Sequence, residues 1–276
     1  MGKITTLGKK SIFGLGFAFA VIGLCQTKIS FIAGLLLLCA GAVWETWSIY
    51  LGPGYTDKDF PPTFKVGLLF AGMLIGFSVL AEKFPVWYCL ALIGTYCLVD
   101  VCANLWGSFW SKTLKKPTRR FAPIWSPNKT WAGVWAGLVG GSFGLPLLIW
   151  LMQIHYQPAL TGENIFVQAY PFSQYASYAL GFTIAWLAIR GDLIFSQTKR
   201  QLGIKDFTVN WRGRQICLLR SHGGVLDRVD SWTLATIFVA AWLHLSLYRP
   251  LCRDLIIFAP MLVAIDIVIY EKRQLT

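Results

Sequence analysis

The chain reads Gly191-Asp192-Leu193-Ile194-Phe195-Ser196-Gln197-Thr198-Lys199-Arg200 and, after a loop, Ser221-His222-Gly223-Gly224-Val225-Leu226-Asp227-Arg228-Val229-Asp230-Ser231. These two runs are the densest concentration of polar and ionisable groups in a chain that is 55% hydrophobic. Apolar segments of membrane-spanning length flank them. Polar residues held at a membrane surface between spans indicate a functional site. The stretch therefore predicts a membrane protein whose reactive groups lie between its spans.

The spacing within the two runs indicates their chemistry. If the first run is helical, four of its polar side chains share one face. They are Asp192, Ser196, Lys199 and Arg200. Asp227 and Asp230 are spaced i, i+3 at the start of the next helix, and Gly223-Gly224 allows close approach of a backbone to a ligand. Carboxylates beside cations, without a Cys/His cluster, suit Mg²⁺ and phosphates, which indicates metal-assisted phosphoryl or nucleotidyl transfer.

Together the runs resemble the signature of the phosphatidate cytidylyltransferases, also called CDP-diacylglycerol synthases. The residues that carry this resemblance are Ser196, Lys199, Arg200, Lys205, Asp206, His222, Gly223, Gly224, Asp227, Arg228 and Asp230. A second element at residues 126–133 is similar to the family's Ser-Pro-x-Lys-Thr-x-Glu-Gly and contains Lys129, although Ala132 stands in place of the Glu. The resemblance covers roughly residues 95–232, and earlier residues match only in hydrophobic character.

The resemblance implies an enzyme that makes CDP-diacylglycerol and pyrophosphate from CTP and phosphatidate for phospholipid biosynthesis. The catalytic residues would be Asp206, Asp227, Lys205 and His222. The substrates would contact Ser196, Lys199, Arg200, Arg228, Lys129, Asp192, Gly223 and Gly224. Asp206, Asp227 and Asp230 would hold Mg²⁺, with a second cation such as K⁺ beside it.

Several of these residues also have simpler interpretations. Asp227 and Asp230 would stabilise a helix N-terminus even without a metal, although capping explains neither Asp206 nor the two glycines. His222 fits a general base and equally a support for the glycine turn. The lysines and arginines also fit a plain positive-inside bias.

The chain departs from the family pattern between its two runs. The segment from Asp206 to His222 is longer than expected and basic, and Arg220-Ser221 replaces the usual Pro-Gly. The exact lipid substrate is therefore left open. An enzyme acting on a polyprenyl lipid, and a transporter or inactive scaffolding paralogue, remain alternatives. A transporter should place its polar residues near mid-span, whereas most of these lie at the ends of spans.

The hydropathy pattern predicts an all-α, polytopic transmembrane bundle with a single domain and cytoplasmic active-site loops. A mean hydropathy of +0.55 supports a membrane protein. Eight apolar segments have about the 20 residues that a bilayer requires. They are residues 11–27, 29–51, 64–82, 85–107, 131–154, 174–191, 231–248 and 251–271. We divide the domain into N-terminal spans (1–84), a catalytic region (85–232) and C-terminal spans (233–276). Asp100 and Asn104 lie on one face of the fourth span and, with Asp192, would line the entry to the site.

Charge orients this map. With the N-terminus in the cytoplasm, 21 of the 25 lysines and arginines lie on the cytoplasmic side, as the positive-inside rule requires. This orientation predicts a protein of the cytoplasmic (inner) membrane whose active site faces the cytoplasm. The net charge of +12 fits anionic lipids and nucleotide better than nucleic acid. The expected partners are CTP, phosphatidate, membrane lipids and a second copy in a homodimer. Seven cysteines without a C-x-x-C pair argue against a zinc site or disulfide framework.

Overall fold

The computed structural model of this chain describes residue 23 and residues 27–52, 55–110, 119–156, 174–211, 214–218, 223–248 and 255–273. The predicted first span, about residues 11–27, lies outside these ranges except for residues 23 and 27. The candidate residue His222 also lies outside them. All structural statements below concern the described residues.

Seven α-helices make up most of this part of the chain. They are α1 (Lys28–Tyr50), α2 (Phe60–Lys83), α3 (Val86–Ser108), α4 (Trp131–Tyr156), α5 (Gln174–Gln201), α6 (Leu226–Tyr248) and α7 (Ala259–Arg273). Short 3₁₀ helices, Asp57–Asp59 and Leu255–Phe258, precede α2 and α7. Each helix corresponds to a predicted span, and the all-α membrane fold class is confirmed.

Local sequence explains where the first helices begin. At α1, Thr27 and Ser30 form a capping box in which each side chain accepts the other's backbone N–H at 3.1 Å. Pro61 and Pro62 lie in the first turn of α2, where a missing N–H costs no helical hydrogen bond.

Five helical segments are long and apolar enough to cross a membrane. They are Lys28–Tyr50, Asp57–Lys83, Val86–Ser108, Trp131–Met152 and Ala176–Gln201. Large apolar side chains such as Leu37 on α1, Phe64 on α2 and Phe143 on α4 are exposed, as lipid-facing residues of a membrane protein are. These features are typical of an integral membrane protein. The total of eight spans stays a prediction.

Contacts divide the chain into two compact units. The first unit takes the described residues of Met1–Leu90 and Thr198–Asp230, and the second takes those of Ala91–Gln197 and Ser231–Thr276. In the first unit α1 packs against α2, with the rings of Phe31 and Phe77 edge to face at 5.8 Å. The predicted division at residues 84 and 232 stays a prediction.

Each unit also contains one antiparallel hairpin that the sequence did not predict. In the second unit, β1 (Arg120–Ala122) pairs with β2 (Ser126–Thr130) and leads directly into α4. In the first unit, β3 (Val209–Trp211) pairs with β4 (Arg214–Ile216), and β3 contacts α1. The second hairpin occupies the long basic segment between the two signature runs.

Candidate functional site

Asp227, in the first turn of α6, is the centre of a polar cluster in the first unit. Its Oδ1 lies 2.7 Å from Nζ of Lys199, near the end of α5. Its Oδ2 accepts backbone N–H groups from Phe207 at 2.8 Å and Gly224 at 2.9 Å. Because one carboxylate bonds three separate segments, it fixes the loop between α5 and α6 against both helix ends.

The two glycines of the signature form a turn, residues 223–226, that we call the glycine turn. Gly223 has a φ of 79°, in the left-handed region that favours glycine, and a methyl group there would lie 2.5 Å from Oδ2 of Asp227. A methyl group at Gly224 would collide with the carboxyl group of Glu45. The groups that approach these glycines here are therefore carboxyl oxygens of the protein, and contact with a substrate stays a prediction.

Glu45 of α1 completes this cluster, and no motif in the sequence pointed to it. Its carboxyl oxygens accept backbone N–H groups from Val225 at 2.6 Å and Leu226 at 2.9 Å. Its side chain is fully buried. The signal that sequence reasoning missed is that Glu45 is the one acid within an otherwise apolar span.

Three carboxyl groups of the first unit act on the thiol of Cys217. Burial raises the pKa of Cys217, and the negative charges of Asp206, Asp227 and Glu45 raise it further. Three carboxyl groups thus act on one sulfur atom, which places them in a common neighbourhood. Their donors are all oxygens, the ligands that Mg²⁺ prefers.

The other predicted residues of the first unit differ in exposure. Arg200, Lys205 and Asp206 are exposed, Arg228 is half-buried and Asp230 is buried. His222 lies outside the described residues. Among the residues that the structure describes, no group of three or more His, Cys, Asp or Glu side chains is arranged to hold a metal ion.

The second unit contains a cavity of about 580 Å³ with polar walls. It lies between α3, α4, α5 and β2. Its polar lining includes Asp100, Asn104, Ser126, Asn128, Lys129 and Asp192. Asp192, Asp100 and Asn104 thus line one cavity together with Lys129, and their predicted role at the entry to the site stays a prediction.

Two carboxylates of the cavity have identified partners. Asp192 forms an ion pair with Lys129 and accepts a long hydrogen bond from Ser196 at 3.4 Å. Asp100 accepts a hydrogen bond from Ser231 of α6 at 3.1 Å. The cavity thus presents two carboxylates on helices of membrane-spanning length and a cation on β2.

An aromatic cluster holds the hairpin that carries Lys129. The buried ring of Phe121 on β1 contacts Trp131, Trp186 and Tyr270, with a centroid distance of 4.8 Å to Tyr270. Arg119 pairs with Glu271, and Trp186 Nε1 donates to Asp266 at 2.9 Å. The C-terminal helix α7 thereby anchors the hairpin, although it carries no signature residue.

Comparison with known proteins gives consistent matches. The sequence model described as "Cytidylyltransferase family" matches residues 9–246. A phosphatidate cytidylyltransferase of Helicobacter pylori (strain J99) is 34% identical, over 86% of this chain and 80% of that protein. One of Pseudomonas aeruginosa is 30% identical, over 81% of this chain and 74% of that protein. One of Chlamydia trachomatis is 31% identical over 66% of this chain, which spans only 51% of that relative.

Proposed function

The chain belongs to the cytidylyltransferase family, and on that premise we propose that it is a CTP:phosphatidate cytidylyltransferase that makes CDP-diacylglycerol. The relatives described above carry the name of this activity. Both substrates bear phosphates, and the lipid substrate bears acyl chains that a membrane protein meets in its own bilayer.

The observation that carries the proposal is the polar cavity of the second unit. Its carboxylates stand on apolar helices of membrane-spanning length, where charged groups are costly and are kept for function. Lys129 supplies a cation for a phosphate, and the neighbouring Asn104 and Asn128 supply amide donors and acceptors. A volume of about 580 Å³ is within the range of small-molecule sites.

In the proposed reaction, a phosphate oxygen of phosphatidate forms a bond to the α-phosphorus of CTP. The bond from that phosphorus to the β-bridging oxygen breaks, and pyrophosphate leaves with the electron pair. The second pKa of a phosphate monoester is about 6, so the attacking oxygen is already ionised at neutral pH. The protein's task is then to position the two phosphates and offset their charge, and in the cavity of the second unit Lys129 is the candidate cation.

Carboxylate oxygens of the kind that a hard divalent cation prefers are present in the first unit, although among the described residues no three of them surround one ion position. Asp227 accepts three hydrogen bonds, which leaves about one of the roughly four acceptor positions of a carboxylate for a metal. Asp206 is exposed and acts on the same thiol as Asp227. We propose that Asp206, Asp227 and Asp230 hold Mg²⁺, with K⁺ as a second cation. When bound, Mg²⁺ supplies neutralisation of phosphate charge, and one or two carboxylates plus substrate phosphates are its usual protein site.

The finer assignments rest on sequence. The 21-to-4 distribution of lysine and arginine supports the cytoplasmic (inner) membrane, with the signature loops and the active site on the cytoplasmic side. We propose a homodimer and no nucleic-acid partner, since the basic charge of an apolar chain matches lipid headgroups and CTP.

The proposal is tested with purified protein in nanodiscs that contain phosphatidate. CTP and Mg²⁺ are added, and lipids and pyrophosphate are measured by mass spectrometry and an enzymatic assay. We expect equimolar CDP-diacylglycerol and pyrophosphate, and their loss when EDTA is added. A parallel sample contains a polyprenyl phosphate in place of phosphatidate. Product from the polyprenyl lipid alone would replace the proposed substrate, and no product from either would refute the proposed enzyme.

A further inference from the structure

Glu45 lies in α1, outside every motif that the function uses. It is the one acidic side chain of a 23-residue span, and none of its surface is exposed. A buried carboxyl group is costly unless its oxygens are hydrogen-bonded. The groups that donate hydrogen bonds to its carboxyl oxygens therefore offset the cost of burying it.

Among the described residues, the hydrogen bonds to Glu45 come from backbone groups of the glycine turn. Val225 and Leu226 donate their N–H groups to Oε1 and Oε2 at 2.6 and 2.9 Å. These two residues immediately precede or begin α6, where N–H groups have no acceptor within the helix. Glu45 thus caps α6 from a helix that lies about 180 residues earlier in the chain.

Packing reinforces this connection between α1 and the turn. The carboxyl group of Glu45 occupies the space that a side chain at Gly224 would need. One turn before Glu45, a methyl group at Gly41 would lie 2.8 Å from Cγ2 of Val225. The turn therefore rests directly on α1, without space for another residue type at either glycine.

The turn in turn sets the position of Asp227. The N–H of Gly224 donates to Oδ2 of Asp227 at 2.9 Å, next to the two N–H groups that Glu45 accepts. If Glu45 releases Val225 and Leu226, this bond loses its fixed geometry. A shift of Asp227 would also change its 2.7 Å contact with Lys199.

We infer that Glu45 is a positioning residue, which holds the glycine turn so that Asp227 and Lys199 keep their geometry for phosphate chemistry. This inference rests on the proposed function, because the readout of activity is cytidylyl transfer. It assigns to α1, which carries no residue of the two signature runs, a direct part in forming the site.

The test compares Glu45→Gln and Glu45→Ala with the wild-type protein in nanodiscs. The glutamine variant keeps the shape but turns one acceptor into a donor that opposes an N–H group. We expect kcat to fall about tenfold or more in Glu45→Gln and further in Glu45→Ala, with the KM for CTP changed less than about threefold. Hydrogen–deuterium exchange of peptides covering residues 223–230 should become faster in both variants.

Glu82→Gln is the matched control, because Glu82 is an exposed acid of the same unit that pairs with Lys83 at 3.1 Å. It should leave both kinetics and exchange unchanged. An unchanged kcat in Glu45→Gln, or a reduced kcat without faster local exchange, would overturn the inference. If Glu45→Ala does not fold, the isosteric Glu45→Gln decides alone. If the wild-type protein makes no CDP-diacylglycerol, the proposed function fails, and unchanged exchange at residues 223–230 would still refute positioning by Glu45.

Discussion

Two lysine–aspartate pairs, one in each unit, differ in the exposed fraction of their side chains. In the first unit the side chains of Lys199 and Asp227 are 12% and 6% exposed. In the second unit the side chains of Lys129 and Asp192 are 24% and 26% exposed and line a cavity. The same two residue types therefore occupy a closed and an open setting.

The difference separates residues that hold a loop of the protein in place from residues that line a cavity. Three of the roughly four acceptor positions of Asp227 are taken by groups of the protein, so its first effect is to order the signature loop. Asp192 and Lys129 border a volume large enough for a small molecule. The predicted site residues thus include some that are held by groups of the protein and others that line a cavity.

The largest effect is expected at the closed pair. Asp227→Asn leaves Lys199 nearly buried without its counter-charge, which costs about 3–5 kcal/mol of stability for a buried pair. Cytidylyl transfer should fall at least about a hundredfold, because the proposed metal ligand is also lost. Activity and thermal unfolding in detergent measure the two effects.

The double variant Lys199→Met/Asp227→Asn separates stability from chemistry. It removes both charges, so we expect thermal stability to recover relative to Asp227→Asn while activity stays low. Recovery of both activity and stability in the double variant would show that the pair has a structural role only. Full activity in Asp227→Asn would show that the carboxylate of Asp227 is not needed for the reaction.

An intermediate effect is expected at the open pair. Lys129→Met removes an ion pair whose side chains are about a quarter exposed although Nζ of Lys129 is itself buried, so we expect stability to fall by about 1–3 kcal/mol. We expect the KM for CTP or phosphatidate to rise about tenfold, because a cation of the cavity is lost. Lys83→Met removes the exposed partner of Glu82 and serves as the control. A large loss of stability with an unchanged KM would show that Lys129 and Asp192 stabilise the structure and do not bind a substrate.

The smallest effect concerns the charge of the closed cluster. Burial and the charges of Asp206, Asp227 and Glu45 raise the pKa of Cys217, so less of its thiol is ionised at neutral pH. Alkylation of Cys217 by iodoacetamide, followed by peptide mass spectrometry across a pH series, should have its midpoint above that of a free thiol. Asp206→Asn should move the midpoint down slightly, and Lys205→Gln provides the comparison at the neighbouring position. No difference between the variants would place Asp206 outside the cluster.

The sequence predicted the helices well because an apolar run of span length has few alternatives. The helices extend beyond the predicted spans where they become polar: α5 continues from residue 191 to Gln201, and α6 begins at Leu226, before the span predicted from residue 231. The helical spacing of Asp192 to Arg200, and of Asp227 with Asp230, predicted these polar turns. There the hydropathy falls, but the backbone hydrogen bonds continue. The two hairpins were missed because strands of three to five residues give too short an alternation to recognise.

The candidate site was only partly predictable for a related reason. Spacing along one helix suggested that Asp192 and Ser196 share a face, and they do contact each other. Spacing does not report pairs that are far apart in sequence, such as Lys199 with Asp227 or Glu45 with Leu226. Such pairs depend on tertiary packing, which cannot be read from the residue spacing of a single sequence.

The length of α5 has a consequence for where the reaction meets the lipid. Its 28 residues extend about 42 Å at 1.5 Å per residue, whereas a hydrocarbon core is about 30 Å thick. Even with a moderate tilt, about two turns of this helix must project beyond the acyl chains. The polar end from Ser196 to Arg200 is suited to do so, which would bring its charges to the depth of the glycerol and phosphate groups. A lipid substrate can then present its headgroup to the protein without leaving its own leaflet.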